Sequence, residues 1–356
     1  RARRAMGARY DDGQHPAHTA AAAHGTPPLP YIYPALCVPG VRAAHVALHS
    51  YLLSDARTYR VLLTHSPLGI DALQHALRAV LLGNMQAPSI SFVDTHVLSA
   101  LGAGRPTALV VDCGHLETCA MPVYMGRPLR SLLATTPRAG RRLNETLRAL
   151  LLQHAQASGT DAPLETLLTA DVVESLKTQA LVVRPAMAHA RVCMPLDPDA
   201  FAAVYATDTS ASPLTMRLRG GGTLHVPGWL RARAAEVLFE PGDEDEASIV
   251  ECALQSASRL PLDIRRDVLD AVLLTGGTAM LPDFAPRFES HMAEGFAQGT
   301  GRFGAAMLAP PAVHVLRTAD VPTPPNLLAW RGASLAGAFR ADGTAETTRE
   351  QWLSST

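Results

Sequence analysis

Residues Ala108–Arg127 read ALVVDCGHLETCAMPVYMGR. An apolar run, Ala108–Val111, ends in Asp112 and the turn residues Cys113–Gly114; Thr118–Tyr124 follows as a second strand-like run before the turn Met125–Gly126. Short apolar runs bounded by turn residues read as buried strands, and two of them around a tight turn read as a hairpin, here with an acid at its tip. An acid at the end of a buried strand suits a magnesium ion held through water, and a neighbouring glycine lets backbone N–H groups approach a phosphate. Asp112 and Gly114 are therefore candidate phosphate contacts, and Asp112 the candidate magnesium contact. An aspartate that only caps its turn has the same local sequence.

A second strand-to-turn element lies downstream. Ala271–Thr275 (AVLLT) is a strand that runs into Gly276–Gly277–Thr278 and, past Pro282, a helix. Two glycines after a buried strand allow close backbone approach to a ligand, and a helix start offers free N–H groups. The spacing is neither G-x-G-x-x-G nor that of a P-loop, and a tight packing turn explains it as well. Around these lie strands at Tyr31–Val38 and Tyr59–Thr64, and helical spacing at Ala44–Leu53, Ile70–Leu82 with Gly83 as a stop, and Asp94–Leu101. Further helices are expected at Arg141–His154, Ala170–Leu181 and Trp330–Phe339. Strands alternate with helices, so the class is α/β in two layered lobes. Asp243–Glu246 reads as a solvated loop, and Arg1–Pro30, rich in Ala, Gly, His and Pro without apolar period, as a flexible segment.

Composition narrows the function classes. A chain of 356 residues has room for two domains or one bilobed domain. Its 31 basic and 32 acidic residues leave a net charge of −1, so no electrostatic footprint for nucleic acid is expected. No apolar run approaches the roughly 20 residues that span a bilayer, and no secretory signal opens the chain, so no membrane insertion is expected. Five scattered cysteines suit a reducing compartment better than a disulfide framework. The 14 histidines show no H-E-x-x-H spacing, and there is no G-x-S-x-G nucleophile turn. Lys177 is the sole lysine in an arginine-biased chain.

Taken together, Tyr59–Pro67 (YRVLLTHSP), Ala108–Arg127, Ala139–Leu147 (AGRRLNETL), Leu273–Phe288 (LLTGGTAMLPDFAPRF) and Ala329–Ala338 (AWRGASLAGA) resemble, in order, five segments of the actin family. The resemblance implies the α/β, bilobed actin-like superfold that actin shares with heat-shock chaperones and sugar kinases, two related lobes around a nucleotide cleft. It implies a flexible segment 1–30, a first lobe over 31–138 to which 326–356 returns, and a second lobe over 139–325. It places Asp112, Gly114, Gly140, Lys177, Gly276, Gly277, Thr278 and Met280 against a nucleotide, ATP or ADP with magnesium, bound weakly or without hydrolysis. Lys177 stands where the family sets a lysine against the adenosine, although the family's neighbouring acid is Thr178 here; an exposed helical lysine is the alternative.

Departures from the family pattern point away from catalysis. Thr95 stands where hydrolysing members carry the glutamine that orients the attacking water, and Cys119 where they carry its histidine partner. The second phosphate hairpin of the family reads acid-x-Gly-acid-Gly; here Asp112 and Gly114 are followed by His115 and Leu116, and the first hairpin is not visible in Arg1–Pro30. Phosphoryl transfer depends on positioning, so the expectation is a protein that is not an enzyme. Between Gly40 and Val61 only Val41–Arg60 fill the space of the family's small second subdomain, so that subdomain and its insertion loop are expected to be reduced. Val111–Gly114 (VDCG), Glu236–Glu240 (EVLFE), Leu260–Arg266 (LPLDIRR) and Thr323–Pro325 (TPP) resemble the divergent branch that ends the filament of dynactin. That implies a cytoplasmic, cytoskeletal subunit at the pointed end. Its partners would be the actin-related filament subunits of dynactin, pointed-end accessory subunits and, indirectly, dynein. The rival expectations are an ATPase of the same superfold and a nuclear actin-related subunit of a chromatin-remodelling complex.

Overall fold

A computed structural model of the chain describes residues 46–184, 212–218, 221–240, 246–298, 312–317, 319–339 and 346–355. In order these hold β1 (Val61–His65), α1 (Asp71–Arg78), β2 (Ser89–Asp94), α2 (Thr95–Gly102), β3 (Ala108–Cys113), β4 (Thr118–Tyr124), β5 (Arg127–Pro128), β6 (Ala134–Thr136), α3 (Gly140–His154), β7 (Gln156–Ser158) and α4 (Leu164–Leu167). Then come α5 (Ala170–Ala180), β8 (Leu214–Arg217), β9 (Thr223–Val226), α6 (Gly228–Glu236), α7 (Ile249–Ser258), α8 (Leu262–Leu269), β10 (Val272–Thr275), α9 (Phe284–Gln298), α10 (Leu328–Phe339), β11 (Glu346–Thr348) and α11 (Arg349–Ser355). Two compact units divide these residues: 46–61, 68–91 and 346–355 form one, 62–67 and 92–339 the other. The expected segment 1–30 and the expected strand Tyr31–Val38 lie outside the described residues.

In the first unit, α1 does not stop at Gly83 as the sequence suggests. After Arg78 the coil widens into a π turn, Ala79–Asn84, which buries Val80, Leu81 and Leu82. Gly83 is there for packing: ring atoms of Trp352 on α11 lie 3.1 Å from the place a Cβ would take. Arg349 anchors the same helix, its Nε donating to the Leu82 carbonyl at 3.0 Å. β11 runs antiparallel to Ser89–Ser91 of β2. Neither β11 nor α11 has a periodic sequence signal, because each is too short to show one.

In the second unit, β3 is central to a five-stranded sheet of order β10-β3-β4-β5, with β6 on β4. β10 runs parallel to β3 and β4 antiparallel. Alternate residues of a strand face opposite sides of the sheet, and both sides of β3 are covered. Leu109 and Val111 join a cluster with Leu143 and Leu147 of α3, Ala253 of α7 and Phe284 and Phe288 of α9. Ala108 and Val110 join a second cluster with Ala100 of α2 and Leu328 of α10. That double burial is why Ala108–Val111 is apolar without alternation.

Two helix ends carry their own signals. The Asp94 carboxylate accepts the His96 N–H and caps α2, and Ser248 and Glu251 form a reciprocal capping box on α7. Of the expected solvated loop Asp243–Glu246, only Glu246 is described. It is half-buried and lies 3.3 Å from Arg142 Nε, an ion pair rather than a free surface charge. β7, β9 and β8 form a separate antiparallel sheet in that order.

Candidate functional site

The parallel strands β3 and β10 end side by side, Asp112 opposite Thr275. Gly276 follows with φ +91°, a conformation that favours glycine, and a Cβ there would overlap the Cys113 carbonyl and stand 2.7 Å from Asp112 Oδ1. Gly277 has φ −69° and open space around the place of its missing Cβ. The first glycine is thus required by the close approach of two strand ends, while the second exposes bare backbone. Asp112 is not at the hairpin tip as expected. The ladder continues through Cys113, which pairs with Thr118, so Asp112 lies within it opposite Cys119. The turn proper is Gly114–Glu117, closed by the Gly114 N–H donating to the Glu117 carbonyl at 3.1 Å.

Gly114, Gly140 and Thr278 come together at this turn. The Thr278 hydroxyl donates to the Gly114 carbonyl at 2.8 Å. The Gly140 N–H donates to the same oxygen at 3.0 Å and the Arg141 N–H to the His115 carbonyl at 2.6 Å. Two backbone donors at the start of α3 are therefore satisfied by the chain itself. A Cβ on Gly140 would lie 3.3 Å from His115 and from the Thr278 hydroxyl, so glycine keeps the turn close to the helix.

Lys177, on α5, is not an exposed helical lysine: its side chain is 11% exposed, and Nζ lies 2.7 Å from Glu174 Oε2. Asn144 on α3 donates to that same oxygen through Nδ2 at 2.8 Å. Burial pushes the Glu174 carboxyl up, but the hydrogen bonds from Lys177 and Asn144 and the charges of Lys177 and His115 outweigh it and hold the group below its ordinary value. Glu174 and Asn144 are absent from the sequence expectation. The available signal was spacing, since Glu174 stands three residues before Lys177 and four before Thr178 on one helix face. Asn144 Oδ1 is buried with no hydrogen-bond partner. An orphaned acceptor of this kind fits a ligand with hydrogen-bond donors, such as the hydroxyl and amino groups of a nucleoside.

Asp112 fits the metal end of such a ligand. Burial raises its pKa first; the charge of His96 pulls it down, while Glu117 and Asp94 push it up. A buried, undercompensated carboxylate is the hard oxygen donor that magnesium takes. Among the described residues no group of three or more His, Cys, Asp and Glu is arranged to hold a metal, so Asp112 would act through water.

Thr95 opens α2 and donates its hydroxyl to the His65 carbonyl at 2.8 Å. Cys119 is buried, and desolvation drives its thiol far above the ordinary range. Its carbonyl is the partner of His96 Nε2 at 3.2 Å, which places the proton on that nitrogen. Met280 is 47% exposed. It lines a cavity of about 610 Å³ with Leu281, Phe284, Leu316 and Pro322–Pro325. The other expected contacts are not in that lining, so this apolar cavity and the polar cluster are separate features.

Several sheets and helices of mixed α/β content, with the glycine turn of β10 set against the β3–β4 hairpin, define an actin-fold protein. The sequence model of the actin family matches residues 43–353, and the chain belongs to the actin family. It is similar to actin-like protein 9 of Bos taurus, 26% identical over 299 residues, which are 83% of this chain and 63% of that protein. The chain therefore spans less than two thirds of the length of that curated relative. No described helix is long and apolar enough to cross a membrane.

Proposed function

We propose that this chain is a non-hydrolysing actin-related subunit that ends the filament of dynactin at its pointed end and so serves dynein-driven movement along microtubules in the cytoplasm. Within the actin family the sequence pattern favours the branch called actin-related protein ten, or eleven. The observation that carries the reading is the approach to β1. Where the family builds a small subdomain with an insertion loop, this chain has only Val41–Arg60. The described part of that stretch is a π turn, Val46–Tyr51, and a 3-10 turn, Ala56–Thr58, capped by Asp55, whose carboxylate accepts the Arg57 N–H at 3.0 Å. A head-to-tail filament grows only where each subunit offers both complementary faces. A subunit that docks by its large lobes but lacks the loop gripped by the next one ends the row.

The non-hydrolysing part of the reading draws on Thr95 and Cys119. The Thr95 hydroxyl already serves the His65 carbonyl. A buried thiol held protonated is a poor proton acceptor. ATP or ADP with magnesium is proposed as a ligand that is held rather than turned over, against Asp112, Gly277 and Lys177. Affinity purification from cells, read by mass spectrometry, tests the partners: actin-related filament subunits and pointed-end accessory subunits are expected. Recovery with chromatin remodellers, and never with dynactin, overturns the proposal. Steady-state phosphate release by the purified chain overturns its non-hydrolysing part.

A further inference from the structure

We infer that the apolar cavity between the Pro322–Pro325 run and the start of α9 is a second binding site. It takes a large apolar side chain from a peptide segment of a partner protein, with the basic residue next to that side chain paired to Asp283. The lining residues all belong to the second compact unit. Of the residues expected against a nucleotide only Met280 borders the cavity, so the inference stands apart from the nucleotide reading.

Three pieces of chain build the walls. β10 supplies Leu274, α9 supplies Phe284, and the stretch after the bridge between Val272 and Val315 supplies Leu316 and Val321, all four buried. Pro322–Pro325 then returns to the end of β10. There the Pro325 carbonyl accepts the Gly276 N–H at 3.3 Å and the Thr275 hydroxyl at 2.9 Å, which fixes that wall. The volume of about 610 Å³ falls within the roughly 300–1,000 Å³ of pockets that enclose ligands, and apolar walls with few polar groups are their usual composition.

Charge selects the occupant. The lining carries one cation and one anion, Arg317 and Asp283. Arg317 is already neutralised, its Nη2 lying 2.5 Å from Glu289 Oε2. The hydroxyl oxygen of Thr323 accepts a hydrogen bond from Arg331. Among the described residues the exposed Asp283 carboxylate has neither a hydrogen bond nor an ion pair. An aspartate just before a helix ordinarily caps it with that carboxylate. Here the backbone is left-handed, φ +60°, and the Asp283 carbonyl instead accepts the Arg287 N–H at 3.2 Å. The carboxylate is left for the cavity. Buried apolar walls with an exposed acid suit an occupant that enters apolar end first and keeps a positive charge at the surface. Adjacent residues of a peptide do this. An unfilled packing defect is the plain alternative, and it gives no reason for an unpaired acid on a left-handed backbone beside it.

Ligand-observed NMR titration of the full chain tests this with two blocked dipeptides, N-acetyl-tryptophanyl-lysine amide and N-acetyl-tryptophanyl-glutamate amide. The lysine dipeptide should bind about fivefold more tightly than the glutamate one, the scale of one exposed charge pair. The gap should narrow at high salt. Asp283→Asn suits the same left-handed backbone and should bring the two within about twofold. Ala285→Phe, which fills the cavity from α9, should weaken both. Tryptamine, an indole with an amine but no peptide, should bind more weakly than the lysine dipeptide. Equal binding of the two dipeptides by wild type, binding of neither, or a preference that survives Asp283→Asn overturns the inference. So does unchanged binding in folded Ala285→Phe. Tryptamine bound as tightly as the lysine dipeptide would overturn the peptide as occupant.

Discussion

Gly276 and Gly277 are chemically identical neighbours, yet one added methyl group should have opposite consequences at the two positions. At Gly276 it meets a left-handed backbone and the Cys113 carbonyl. Strain and overpacking together should cost about 3 kcal/mol in Gly276→Ala. At Gly277 it meets open space at an ordinary φ, so Gly277→Ala should stay within about 0.5 kcal/mol of wild type. Urea denaturation of both variants checks this, and equal stabilities would refute the packing role of Gly276. Asp112 gives a pH-dependent counterpart. Its folded-state pKa is raised above 3.8, so the native state keeps the proton longer than the unfolded chain does. The stability it contributes is present below that value and lost as pH rises through the raised pKa. Asp112→Asn cannot ionise and escapes the loss. Its melting temperature relative to wild type should climb from near pH 3.8 upward, and a difference flat with pH would exclude the burial account. Asp112 and the two glycines were legible in sequence because strand ends and turns have local chemistry. Asn144 was not, because its meeting with Glu174 depends on two helices packing together, and Glu174 was marked only by its spacing to Lys177 on one helix.

Elements were legible where burial imposed a period or erased one. β3, β4 and α3 follow from apolar runs and leucine spacing, and the structure moves their ends by one residue at most. At Gly83 the sequence suggests a stop, but the coil passes through it as a π turn, and the missing side chain leaves room for the Trp352 ring. Capping makes a sharper test of local determination. Ser248 Oγ accepts the Glu251 N–H at 3.1 Å, and Glu251 Oε2 accepts the Ser248 N–H at 2.7 Å. The helix it starts carries Cys252, Ala253 and Leu254 into the main core. Ser248→Ala should destabilise the protein by about 1 kcal/mol, while Ser248→Asp, which keeps an acceptor at the cap, should lose less than half of that. Chemical denaturation of the two variants measures the difference. Equal losses would mean that the serine acts by size rather than as a cap.

At the scale of the whole molecule, the proposed filament-ending role makes a kinetic prediction that a side-binding or copolymerising protein does not share. An end-blocking subunit acts at a number of sites equal to the number of filament ends, not to the number of subunits. Added to growing filaments of actin-related subunits, the chain should stop elongation at the pointed end at a concentration comparable to that of ends. Growth at the opposite end should continue. A subunit that withholds one of the two complementary faces cannot add to itself head to tail, so purified chain should form no filaments of its own at any concentration tested. Because Thr95 and Cys119 are proposed to leave hydrolysis out of the function, arrest should be the same in ATP and in ADP. Single-filament fluorescence microscopy with labelled chain reads all of this at once: one label per filament, at one end, coincident with arrest. Labels spaced along the filament, or filaments grown from the chain alone, would show that it offers both faces and would overturn the proposed end-blocking role.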